Sequence, residues 1–240
     1  MILDGKRLTE AAELRSAYVD LVARPKFKEI VASLKDVAEF KAEDVKVVFG
    51  YIFDTRSFKD GQLVTGKITV VRALDRIQIR HIILVNKDGE IVGEDYTIDT
   101  VNETGGLTIY NHYDKLEELA SSVSGGYEFL ESSVNEEVID NKEFKPFSTV
   151  KEEGWGVSFC LAGGYNHCGP GCGDGMSRGG TPINGVDSCC RSHDRCWSNF
   201  GEGDACCDKT LVNCVKSARS SGPVAADLIV GWFSWNARNC

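Results

Sequence analysis

A histidine followed directly by an aspartate lies inside a dense run of cysteines in the last third of the chain. His193 and Asp194 come after the pair Cys189 and Cys190 and before Cys196. A positioned histidine can act as a general base near neutral pH, and a neighbouring carboxylate can bind a hard cation. The dipeptide alone would be interpreted as an ordinary surface pair, so its meaning depends on the segments around it.

Two further segments add to this pair. The first reads YNHCGPGCG at 165–173, where dense glycines permit unusual backbone angles and can direct several carbonyls at one point. The second reads CCDKTLVNC at 206–214 and is predicted to form a helix, with Asp208 able to orient the far nitrogen of His193. In a helix over 187–197, Cys190 would lie three and four positions before the His-Asp pair, on the same face.

Taken in this order, the three segments resemble the secreted phospholipase A2 family. The family's calcium loop ends in Cys-Gly-x-Gly, its active-site helix carries Cys-Cys-x-x-His-Asp-x-Cys, and its second helix carries Cys-Asp with a later cysteine. The matching segments are 168–171, 189–196 and 207–214. The resemblance covers residues 155–240 and is closest to bacterial, viral, plant and venom-type members without an N-terminal interfacial helix. It implies a disulfide-rich, mainly α-helical fold with two antiparallel helices.

The resemblance also implies a cofactor, which is Ca²⁺. Its ligands would be the backbone carbonyls of His167, Gly169 and Gly171 together with both carboxylate oxygens of Asp194. The implied reaction is hydrolysis of the sn-2 ester of glycerophospholipids, which releases a fatty acid and a lysophospholipid.

The implied catalytic residues are His193, Asp208 and Gly169. His193 would take a proton from the attacking water, Asp208 would fix its imidazole, and the N–H of Gly169 would stabilise the oxyanion. The family often has a tyrosine that hydrogen-bonds the supporting aspartate. Trp197 stands at that position here and offers only an indole N–H.

All ten cysteines lie between Cys160 and Cys240, which indicates a disulfide framework and therefore an oxidising compartment. Adjacent cysteine pairs do not give the usual ligand spacing of a zinc site. Secretion is expected, although the first residues show no signal peptide, so a signal was removed or export follows another route. The resemblance implies the pairs Cys168–Cys190, Cys196–Cys207 and Cys189–Cys214, and we assign the remaining four cysteines provisionally as Cys160–Cys172 and Cys206–Cys240.

The earlier residues predict a separate α+β domain, with helices first and an antiparallel sheet after them. Apolar residues recur at helical spacing over the first forty residues, and β-branched runs at 67–71 and 77–85 precede a hairpin turn at 86–89. Residues 114–153 resemble a connector. We therefore predict a cysteine-free domain at 1–150 and a phospholipase-like domain at 151–240, with the boundary near Thr149.

Charge is also divided between the two parts. The net charge is −9, and nineteen of the 27 Lys and Arg and twenty-seven of the 36 Asp and Glu precede Lys151. An acidic chain gives no reason to expect nucleic acid as a partner, whereas a phospholipid membrane surface is the partner that the resemblance implies. The N-terminal domain is interpreted as a propeptide that masks the active site of a zymogen, or as a targeting or receptor-binding module.

A different class of function also fits the same scaffold. The chain could be a non-catalytic calcium- and membrane-binding toxin, or a receptor-binding module. Inactive proteins of this kind commonly lose the histidine or the metal-binding aspartate, and His193 and Asp194 are both present. The aromatic stretch at 228–235 could pack in the core or contact lipid, and core packing is the favoured interpretation.

Overall fold

The computed structural model describes residues 2–35, 37–38, 40–41, 44–57, 61–112, 115–148, 160–161 and 163–240. Its N-terminal part is one seven-stranded antiparallel sheet in the order β1-β2-β3-β4-β5-β6-β7, which confirms the predicted antiparallel sheet. The strands are β1 Ile2–Arg7, β2 Lys46–Arg56, β3 Leu63–Ala73, β4 Ile77–Asn86, β5 Ile91–Val101, β6 Leu107–His112 and β7 Leu116–Ser122. The helices of this part are α1 Ala11–Val22, α2 Pro25–Ser33 and α3 Gly126–Ser132.

The hairpin between β4 and β5 forms where the sequence predicted it. The side chain of Asn86 accepts hydrogen bonds from the backbone N–H groups of Asp88 and Glu90. Gly89 adopts a φ of 83°, a left-handed conformation that suits glycine. Local side-chain chemistry therefore fixes this turn.

Two predictions for the N-terminal part were wrong in detail. The first forty residues are not helical throughout, because Ile2–Arg7 forms strand β1 and pairs with β2. The segment predicted as a connector contains strand β7 and helix α3, and it buries Leu130 and Phe144. Both errors concern segments whose structure depends on partners elsewhere in the chain.

The C-terminal part consists of helices. They are α4 Gly185–Phe200, α5 Ala205–Ser217 and α6 Pro223–Ala237, with a 3-10 turn at Arg219–Ser221. Asn184 caps α4 by accepting from the N–H of Asp187, and Asp204 caps α5 by accepting from two N–H groups of its first turn. Among the described residues, no helix is both long and apolar enough to cross a membrane.

Five disulfides connect the C-terminal part, and the expected pairing is confirmed in full. The bonds are Cys160–Cys172, Cys168–Cys190, Cys189–Cys214, Cys196–Cys207 and Cys206–Cys240. Two of them join opposite ends of α4 and α5, so these helices run antiparallel as predicted. The bond between Cys206 and Cys240 links α5 to the residue at the end of α6.

The two parts share a hydrophobic core. One cluster of buried side chains combines sheet residues such as Phe53, Ile68 and Leu84 with Val212 of α5 and Ile229 of α6. Helix α6 lies against β4 and β5. A second cluster lies between α1, α2 and the sheet. The predicted boundary near Thr149 and the start of the resemblance at 155 lie outside the described residues, and the division into two domains stays a prediction.

Three buried ion pairs also join the sheet to the helices. Each of their six side chains is at most 5% exposed. The pairs are Arg80–Asp227 at 2.5 Å, Asp95–Lys216 at 2.6 Å and Asp99–Arg219 at 2.5 Å. Removing one partner of such a pair by substitution would leave an uncompensated buried charge, so each pair depends on one residue from the sheet and one from the helices.

Candidate active site

Helices α4 and α5 bring His193 and Asp208 into direct contact. Nε2 of His193 lies 2.8 Å from Oδ1 of Asp208, and both residues are buried. An ionised carboxylate can only accept, so Nε2 donates this hydrogen bond and Nδ1 is the nitrogen left to accept a proton. The predicted contact is therefore present, while the catalytic roles of the two residues stay predictions.

Asp208 is held by two further donors. The indole Nε1–H of Trp197 donates to Oδ1 at 3.1 Å, so tryptophan does supply the bond that its position had put in question. The Nδ2 group of Asn236 donates to Oδ2 at 2.7 Å. Asn236 lies in a different helix, 28 residues further along the chain, and belongs to no motif, so no local pattern indicated this contact.

The imidazole ring of His193 is also packed between two aromatic side chains. The ring centroid of Trp197 lies 4.3 Å away in a tilted arrangement, and Phe233 of α6 meets the imidazole edge-on at 5.2 Å. Aromatic rings at these distances and angles attract one another and limit rotation of the imidazole. Its orientation is thus set by packing as well as by the bond to Asp208.

The glycine-rich loop lies beside this pair. Gly169, Gly171 and Gly173 have φ values of 128°, 68° and 140°, a range in which side chains are strained. The disulfide from Cys168 to Cys190 ties the loop to α4. The loop conformation thus requires glycine, as the sequence predicted.

A second contact between the loop and α4 was not predicted. Asp187 is fully buried at the start of α4 and accepts hydrogen bonds from the backbone N–H groups of Asn166, His167 and Ile183. Charge-assisted bonds of this kind are stronger than neutral ones. An acidic residue in the first turn of a predicted helix was the available signal, but its partners are fixed only in the folded loop.

Asp194 faces the loop with one oxygen unpaired. Its Oδ2 is buried, has no hydrogen-bond partner in the described part of the chain, and lies 4.0 Å from Nδ1 of His167. A Cβ atom on Gly173 would come within 2.7 Å of this oxygen, so glycine leaves room for the carboxylate. Burial raises the pKa of Asp194 to about 6, although the nearby His193 and His167 act in the opposite direction.

These features suit a hard cation held by oxygen ligands. A carbonyl oxygen has two lone pairs. The carbonyls of Gly169 and Gly171 each accept one backbone N–H, from Cys172 and Ser177, and so keep one lone pair for a metal. In the described residues, no three His, Cys, Asp or Glu side chains converge on one point. The oxygens available to a cation here include Asp194 Oδ2 and the carbonyls of Gly169 and Gly171, the kind of ligand that calcium prefers.

His193, Asp194 and part of the glycine-rich loop line a cavity of about 580 Å³. Its polar lining residues include His193, Asp194, Arg191 and Arg195, and its apolar lining residues include Leu161, Met176, Leu211, Ile229 and Phe233. All the described residues that line the cavity belong to the C-terminal part, and Leu161 is the first of them in the chain. A cavity lined by both charged and apolar side chains suits an amphiphilic molecule.

Comparisons with protein-family models, with curated proteins and with solved structures find no significant match to this chain. Any assignment of function therefore depends on the residues and on the geometry of the cavity.

Proposed function

We propose that this protein is a calcium-dependent phospholipase A2 that hydrolyses the sn-2 ester of glycerophospholipids. The observation that carries the proposal is the meeting of two groups in one cavity. His193, which is paired with the buried Asp208, and Asp194, which has an unpaired carboxylate oxygen, line the same cavity. The first group can move a proton and the second can hold a metal, which are the two requirements of this chemistry.

Proton transfer is assigned to His193. Its Nδ1 accepts a proton from a water molecule as the water oxygen attacks the ester carbonyl. The sn-2 C–O bond of the tetrahedral intermediate then breaks, and the imidazolium gives its proton to the leaving lysophospholipid oxygen. Asp208 holds the ring in the tautomer that leaves Nδ1 free, and it stabilises the imidazolium that forms. A cysteine nucleophile is not available, because all ten cysteines are in disulfides.

The metal site is assigned to Asp194 and the glycine-rich loop, with the carbonyls of His167, Gly169 and Gly171 as the remaining protein ligands. Bound calcium would supply the positive charge that polarises the ester carbonyl and attracts the substrate phosphate. The N–H of Gly169 donates to the developing oxyanion. Glycine is suited to this position because other side chains are strained at a φ of 128°.

The apolar residues of the cavity lining are assigned to binding the acyl chains. Leu161, Leu211 and Ile229 present hydrocarbon surface next to the catalytic pair, and burying such surface favours binding of the substrate chain. A phospholipid membrane surface is then the partner. Five disulfides support secretion into an oxidising compartment.

Release of fatty acid from phosphatidylcholine vesicles, with calcium or with EGTA, tests the proposal. His193→Gln should lower turnover by roughly 10²–10⁴-fold, because it removes general-base catalysis, and it should leave calcium affinity unchanged. Asp194→Lys should abolish calcium binding in calorimetry. Asp88→Asn, in the exposed hairpin, is the matched control and should behave like the wild type.

The rival function gives a different result in the same assay. A non-catalytic binding module would bind the vesicles in the presence of calcium without releasing fatty acid. Wild-type protein that binds vesicles and calcium but shows no hydrolysis would overturn the enzymatic proposal and favour the toxin or receptor-binding alternative.

A further inference from the structure

Helix α6 has two faces with different neighbours. Asp227 and Gly231, four residues apart, contact the sheet, whereas Phe233 and Asn236, three residues apart, contact His193 and Asp208. At 3.6 residues per turn these pairs lie on opposite sides of the helix. One rigid element therefore connects the seven-stranded sheet to the proposed catalytic pair.

The contact on the sheet side leaves little freedom for movement. A Cβ atom on Gly93 of β5 would lie 2.1 Å from the backbone oxygen of Gly231, so the two backbones pack without a side chain between them. Arg80 of β4 forms a buried ion pair with Asp227 and also donates to the carbonyl of Ser133. Hydrogen-bonded ion pairs are directional, so they fix the rotation of α6 as well as its distance from the sheet.

The helix that carries Asp208 is fixed by the same strand. Lys216 of α5 is buried and donates to Asp95 and to the carbonyl of Tyr96, both in β5. Strand β5 thus sets the positions of α5, which supplies Asp208, and of α6, which supplies Asn236.

We propose that the N-terminal sheet is a scaffold that positions the His193–Asp208 pair, and that Asn236 is the positioning residue through which α6 acts. Asn236 uses both hydrogens of Nδ2, one for Asp208 and one for the carbonyl of Gly203 just before α5. The proposal gives the N-terminal part a role in assembling the site in addition to any masking or targeting role. It rests on the proposed function only where turnover is measured.

The first test compares Asn236→Leu with Asn199→Leu in the full chain. Asn199 is exposed, donates only to the carbonyl of Arg195 and lies outside the cavity lining, so it is a matched control. Asn236→Leu should lower kcat about 10-fold to 100-fold, as misplacement of a catalytic group does, with KM unchanged. Asn236→Gln, which restores a donor, should recover part of that loss.

A spectroscopic readout reports the same geometry without turnover. The indole N–H of Trp197 donates to Asp208, so its proton resonance should exchange slowly with solvent in the wild type. Asn236→Leu removes the hydrogen bond to Oδ2 of Asp208. The indole proton of Trp197 should then exchange with solvent at least several-fold faster. If the protein proves not to be a phospholipase, this measurement alone still decides the proposal.

The second test reaches the site from the sheet. The double variant Arg80→Met and Asp227→Leu replaces the buried ion pair with apolar side chains, an exchange that often leaves stability intact. The scaffold proposal expects an unfolding temperature near that of the wild type, a lower kcat and faster exchange of the Trp197 indole proton. A folded double variant with wild-type kcat and exchange would overturn it, as would an Asn236→Leu protein that matches Asn199→Leu in both readouts.

Discussion

The two parts of this molecule are stabilised by different means. Residues 2–148 contain no cysteine and depend on strand pairing and on three hydrophobic clusters, one of them shared with the C-terminal helices. Residues 160–240 contain five disulfides within about eighty residues, a length at which a hydrophobic core alone is seldom sufficient. The smaller, C-terminal part carries the proposed chemistry. The sheet of the larger part covers the faces of the C-terminal helices that point away from the proposed site.

The charge difference between the parts has a structural counterpart. Asp95 and Asp99 of the acidic N-terminal part pair in the interior with Lys216 and Arg219 of the C-terminal part. Burial lowers the pKa of Lys216, while Asp95 acts in the opposite direction. Part of the acidity that suggested separate functions thus serves to join the two parts.

Loss of a disulfide gives the largest expected effect on this comparison. Cys189→Ala with Cys214→Ala removes the bond between α4 and α5 and should lower the free energy of unfolding by about 2–5 kcal/mol. Because the core is shared, helix and sheet signals should melt in one transition that moves to lower temperature. A variant in which the sheet stays folded while the helices unfold would instead support two independent domains.

Asp187 should have the next largest effect. Asp187→Leu removes the acceptor of the backbone N–H groups of Asn166, His167 and Ile183. His167 is buried, and an unsatisfied buried donor costs about 1–3 kcal/mol. We expect lower stability and weaker calcium binding, measured by thermal denaturation and by calorimetry. Asp88→Asn provides the surface control, and unchanged calcium affinity in Asp187→Leu would contradict a role in fixing the loop.

Calcium affinity should depend on pH through Asp194. Its pKa is raised to about 6 by burial, so the carboxyl holds a proton in the folded protein at a pH where the unfolded chain has lost it. As pH rises from about 4 to 6, ionisation of the buried group therefore lowers stability. Below pH 6, protons compete with calcium, and the affinity should fall about tenfold per pH unit. Calorimetry between pH 5 and 7 measures this slope, and a flat profile would exclude Asp194 as the ligand.

A cut between residues 149 and 159 should have the smallest effect. This stretch contains the predicted boundary and lies outside the described residues. Because a hydrophobic cluster and three buried ion pairs join the two parts, the nicked protein should remain one particle in gel filtration. The scaffold proposal expects unchanged fatty acid release. Higher release after the cut would favour the propeptide interpretation.

The sequence by itself determined the features that depend on near neighbours. The spacing of His193, Asp194 and the surrounding cysteines places them on one helix, and periodicity is a local property. Three of the disulfide pairs followed from the resemblance, and all three are present. The turn at 86–89 is specified locally. The side chain of Asn86 accepts from N–H groups within four residues, and Gly89 tolerates the left-handed conformation.

Only the tertiary structure decided which distant residues meet. Strand β1 depends on pairing with β2 some fifty residues later, and Asn236 reaches Asp208 because α6 is pressed onto the sheet at Gly93 and Gly231. Neither contact leaves a periodic signal, since an asparagine near a helix end and a short strand are common in any sequence. Their partners are chosen by burial of surface across the whole chain, which a local pattern does not contain.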